Sequence, residues 1–171
     1  DMRNRIFTGS LVHDQPGFAE GLGIDNGLKD LTWSAAVGDD AAAVVGIERG
    51  WLAYRKKNIE MTLGRQRINW GMNVFWNPND LFNAYDFFDF DHEERPGCDA
   101  FRLQFNTGGF SHIEGAFAAD RDNKYTFAGL YRFNIRKYDF QMLGGRKKGT
   151  SVVGCGWAGG LGEAGFKGEV S

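Results

Sequence analysis

The chain lacks a hydrophobic run long enough to cross a membrane as a helix. The longest, from Ala41 to Ile47, already includes a glycine, whereas a spanning helix takes about 20 apolar residues. Charge of one sign is also missing. Its 20 basic and 22 acidic residues leave a formal net charge of −2 over 171 residues, so no basic excess points to nucleic acid. Only two cysteines are present, Cys98 and Cys155. They allow one disulfide, but sequence cannot bring their Cα atoms into bonding range, and two unpaired thiols is the simpler expectation. Signatures of catalysis are absent too: there is no GxSxG, no HExxH and no phosphate-cradling glycine loop. Ser10, Ser111 and Ser151 have no recognisable partners, so no enzyme is expected. The three histidines, His13, His92 and His112, fall in no zinc-ligand spacing. No basic-then-apolar leader opens the chain, and "GFKGEVS" ends it within a β pattern, so a piece of a longer chain is expected.

What is present in quantity is glycine, 25 residues, and aromatics at 15%, with 15 phenylalanines. Glycine without a collagen period, combined with that many aromatics, argues against disorder and for a β-rich protein. Period-2 alternation follows. Ile59, Met61 and Leu63 oppose Glu60, Thr62 and Gly64, and Phe101, Leu103 and Phe105 oppose Arg102, Gln104 and Asn106. Ile113 to Asp120, Lys124 to Phe133, Tyr138 to Leu143 and Glu163 to Val170 repeat the pattern. Gly108-Gly109, the "DRDN" stretch and Asn134 to Lys137 supply turns between them. "LTWSAAVG" reads as a further short strand. Ala41 to Tyr54 has the alanine content of a helix, but Val44-Val45 and its glycines favour an extended strand. The fold class expected is all-β, an antiparallel meander.

Alternation has two meanings. A soluble sandwich or small barrel turns its apolar face inward, whereas a transmembrane barrel turns it to lipid. Tyr125 and Phe133 bracket one strand and Tyr138 opens the next, the placement of an interfacial girdle. The apolar rows mix Phe with Gly and Ala, which suits a lipid-facing surface better than an interlocking core. Both observations favour a transmembrane β-barrel over a soluble β-protein binding an apolar ligand.

"LGRQRINWG" (63–71), "WNPNDLFN" (76–83) and "ERPGCDAFRLQF" (94–105), preceded by "IERGWLAYR" (47–55), resemble porin-like outer-membrane β-barrel proteins of Gram-negative bacteria. The specific part covers residues 47–105; the other strands are compatible but generic. The resemblance implies one barrel domain over residues 1–171, part of a larger barrel, with short periplasmic turns and longer surface loops. It implies outer-membrane location, contact with outer-membrane lipid, and passage of small polar solutes. A structural barrel with a plugged lumen, serving other outer-membrane proteins, is the alternative.

Residues 76–97 are expected to form a long polar, acidic loop. Arg65, Arg67 and Arg102 would project from wall strands, with Asp80, Asp86, Asp89, Asp91, Glu93 and Glu94 folding against them. Opposed basic and acidic rows would create a transverse field across a lumen; simple ion pairs that hold the loop are the other reading. Strict alternation, however, sends Arg65 and Arg67 to the same face as Leu63. Either Gly64 marks a bulge that reverses the phase, or these arginines lie at the membrane edge. Asp86, Asp89, Asp91, His92, Glu93 and Glu94 could hold a structural calcium, although no EF-hand spacing exists. No other cofactor is expected. Trp70, Trp76 and Phe82 read as sugar-stacking platforms or, more simply, as anchors and loop packing.

Overall fold

A computed structural model describes residues 2–8, 27–36, 41–73, 77–82, 97–161 and 164–171. Eleven strands are formed among them, all in antiparallel pairs. Strands β1 (Met2–Thr8), β2 (Thr32–Ala36) and β3 (Ala41–Ile47) make a small sheet in the order β1-β3-β2. The chain then runs through β4 (Gly50–Lys56), β5 (Ile59–Gln66), β6 (Cys98–Gly108), β7 (Ser111–Ala119), β8 (Tyr125–Ile135), β9 (Tyr138–Lys147), β10 (Thr150–Leu161) and β11 (Ala164–Val170). These eight pair strictly with their sequence neighbours, the order of a meander. Among the described residues β4 and β11 are both edges, and no closed barrel is formed. No helix of the described residues is long and apolar enough to cross a membrane, which says nothing about crossing by strands.

The local chemistry explains the pairing. Two-residue links bring β4 to β5 and β8 to β9, with Lys57, Arg136 and Lys137 at positive φ, as hairpin turns matched to strand twist require. The alanine-rich stretch from Ala41 is strand, its side chains alternating between more and less buried.

Register carries two different faces across the large sheet. One row runs Ile59, Phe105, Ile113, Tyr131, Met142, Cys155 and Val170. Two rows along on the same face, beyond Met61, Leu103, Gly115, Gly129 and Gly144, run Leu63, Phe101, Phe117 and Phe127, with Arg146 paired to Phe127 at the strand end. These apolar side chains are bare: Leu63 is 60% exposed and Phe127 50%. The opposite face bears Thr62, Arg102, Glu114, Thr126 and Gln141, and four of these are buried polar residues. The sheet therefore inverts the arrangement of a water-soluble sandwich, exposing its apolar side and covering its polar one.

The cover comes from the connection between β5 and β6. Ile68, Trp70, Leu81 and Phe82 pack against Ala100, Ala116, Ala118, Ala128, Leu130 and Leu143 of the wall. Small wall residues let this segment approach closely, and Trp70 meets Phe82 edge-on at 5.0 Å between ring centroids.

Candidate functional site

Among the described residues, the covered face of the large sheet carries a connected set of charged and amide side chains set among the apolar wall residues. Arg102 on β6 forks onto Glu114 on β7, Nε to Oε1 and Nη2 to Oε2, both at 2.7 Å. Glu114 is 1% exposed, so its charge needs this partner. Trp70 from the inserted segment donates its indole N–H to the same Oε1. On β9, Gln141 donates from Nε2 to the Trp70 carbonyl at 2.8 Å and accepts from Arg132 Nη2 at 2.9 Å. Trp70 is thus held by two wall strands at once.

Four further hydrogen bonds hold the rest of the segment, three of them to the wall. Asn79 donates from Nδ2 to the Cys155 carbonyl on β10 at 3.0 Å. Glu169 on β11 accepts the backbone N–H groups of Met72 and Asn73. Asn77 accepts from the Asn73 N–H at 2.8 Å and lies over Gly71, where a Cβ would come within 2.4 Å of its Cγ. Gly71 in "NWG" is therefore a close-approach glycine.

Of the residues singled out in sequence, Arg102 belongs to this network, but its carboxylate is Glu114 from the wall rather than an acid of the loop. Arg65 is 4% exposed and pairs bidentately with Asp99 at 3.0 and 2.8 Å, also donating to the carbonyls of Ile47 and Lys29. Pairing on both sides of β5 continues without a slip through Gly64, so no bulge reverses the phase. Arg65 stays on the Leu63 face and is covered at the strand end by Gly27 and the Lys29 carbonyl. Gly64 itself sits at φ +125°, with the Gly50 carbonyl where a Cβ would be. Arg67 is half-buried, its Nε without a hydrogen-bond partner. Asp80 is buried beside Leu81.

Asp86, Asp89, Asp91, His92, Glu93, Glu94 and Trp76 lie outside the described residues, and the calcium expectation lies there with them. No metal-holding group of three His, Cys, Asp or Glu occurs among the described residues. Cys98 and Cys155 are both unpaired. Trp70 and Phe82 are packed in the core of the insert, the anchoring role rather than an open stacking platform. Sequence reading passed over Glu114, Gln141 and Glu169. Glu114 carried one usable signal, a lone acid in a row continued by Ala116 and Ala118.

No family model, curated protein or solved structure matches the chain.

Proposed function

We propose that the chain forms part of the wall of an outer-membrane β-barrel that passes small polar solutes, its lumen narrowed by residues 67–73 and 77–82. The observation that carries this reading is the inversion of the eight-stranded sheet. A face bearing Leu63, Phe101, Leu103, Phe105, Phe117, Phe127 and Tyr131, all exposed, is costly in water and stable against lipid tails. The other face offers guanidinium, carboxylate and amide groups, the lining that hydrated solutes require. The β-rich fold and the inward packing of the insert both support the reading. The full-length chain is then expected to fractionate with outer membranes, to show heat-modifiable gel mobility, and to conduct ions in planar bilayers. Recovery in the soluble fraction without detergent would defeat it.

A second reading keeps the barrel and closes it. The insert is anchored to β7, β9, β10 and β11 by side-chain hydrogen bonds, which favours a fixed plug and a structural role among other outer-membrane proteins. Membrane insertion with no conductance would select this reading over the pore.

A further inference from the structure

We propose that the short-turn end of the large sheet is a binding surface for anionic phospholipid headgroups, an inference that rests on the membrane reading above. The two ends of the sheet treat their cations differently. At the end holding the connection from β5 to β6, three turn cations have carboxylate partners, Lys148 with Asp120 at 2.9 Å, Lys124 with Asp122 at 3.3 Å and Arg121 with Asp30 at 3.3 Å, while Arg146 beside the β9–β10 turn donates to the Gly149 carbonyl. At the other end lie Lys56 and Lys57 in the β4–β5 hairpin and Arg136 and Lys137 in the β8–β9 hairpin. All four are exposed, and none has a carboxylate partner among the described residues. The nearest acids of those hairpins are already engaged, Glu60 by Arg55 and Asp139 by Asn134.

Immediately inside these cations the bare face becomes aromatic. Tyr131 stacks on Phe133 at 5.1 Å, Phe133 on Phe140 at 5.6 Å, and Tyr138 on Phe140 at 6.4 Å. Trp157 and Phe166 continue the band at 5.9 Å, and Tyr54 is 58% exposed on β4. An amphipathic aromatic belt with unpaired cations just beyond it places rings at the glycerol level and cations at the phosphates. Turns this short belong to the inner side of an outer-membrane barrel, where the leaflet is phospholipid. Charge complementarity therefore selects an anionic phospholipid as the occupant.

The test uses the full-length chain folding into vesicles of phosphatidylcholine alone or with a quarter phosphatidylglycerol, read by heat-modifiable mobility. The wild type is expected to fold into the anionic vesicles about tenfold faster or more at low salt, with the difference screened by added salt. The K56Q/K57Q/R136Q/K137Q variant should lose that difference and still fold into phosphatidylcholine, whereas R121Q/K124Q should keep it. Equal rates for the wild type in both vesicles, or a preference only for vesicles carrying lipopolysaccharide, would overturn the assignment and leave the membrane reading standing. Failure to enter any vesicle would defeat the membrane reading itself.

Discussion

Trp70 and Glu114 are the point at which the inserted segment and the large sheet become one structure. The indole N–H meets a carboxylate that Arg102 already holds bidentately. Glu114→Gln removes the charge that Arg102 is matched to. The expected cost is about 2–3 kcal/mol, below that of a fully buried broken pair because Arg102 remains 27% exposed. Chemical-denaturation midpoints of the folded band check this, and the R102Q/E114Q double variant should lose less than the sum of the two single changes.

Trp70→Ala empties the centre of the insert's core and should weaken its anchoring by about 3–5 kcal/mol. The strands do not depend on that ring. Protease cleavage within 67–82 should therefore rise while the folded gel mobility persists, and on the pore reading single-channel conductance should increase. An unchanged cleavage pattern would mean that the segment is held elsewhere.

Gly64→Ala should destabilise the β4–β5 pair. At φ +125° a side chain is strained, and its Cβ would come 2.5 Å from the Gly50 carbonyl oxygen; together these cost about 1–3 kcal/mol. Faster amide exchange in β4, measured in detergent, is the expected signature. The Arg65–Asp99 pair, one residue further along the strand, should loosen with it.

The turn after β7 carries a pH dependence of known sign. Burial pushes the Asp120 carboxyl up, but its hydrogen bond with Lys148 and the backbone N–H groups of Lys124 and Asp122 outweigh this and hold it below the usual carboxylate range. A depressed folded pKa stabilises the turn above the ordinary Asp value of about 4 and is lost as pH falls through the folded value. Protection of the Lys124 amide should survive to below pH ~4 in the wild type. In D120N it should be insensitive to pH across that window.

Much of this architecture was legible in alternation. Phe127 to Phe133 and Phe101 to Phe105 could be assigned to strands, and to opposite faces, without coordinates. Strand β10 was not, because Gly154, Gly156, Gly159 and Gly160 dilute its pattern and read as turn residues. Two of them are wall positions facing the insert: a Cβ at Gly154 would meet Asn79, and one at Gly156 would meet Met72 as well as Gln141 of the wall. Strand β1 left no signal either, being short and rich in arginine and asparagine. The arginines of "GRQR" were recognisable as unusual and alternation put Arg65 on the Leu63 face, where it lies, but what covers it at the end of β5 was not legible, because period-2 reasoning carries no information about covering segments. Glu114 and Gln141 were hidden for the same reason: a polar residue on a polar face looks solvated until something is found to sit on it.

The membrane reading and the soluble reading make opposite demands on a single exposed row. Lysine at Phe127 costs about 2–4 kcal/mol if that side chain faces mid-bilayer, and nothing if it faces water. The most direct measurement is electron paramagnetic resonance accessibility of a spin label moved through positions 126–132, in cysteine-free full-length protein reconstituted in vesicles. Oxygen accessibility should peak at 127, 129 and 131 and fall at 126, 128 and 130. A water-soluble nickel complex should be excluded from the first set. High access of the nickel complex to 127 and 131 would contradict the lipid-facing assignment, and the barrel proposal with it.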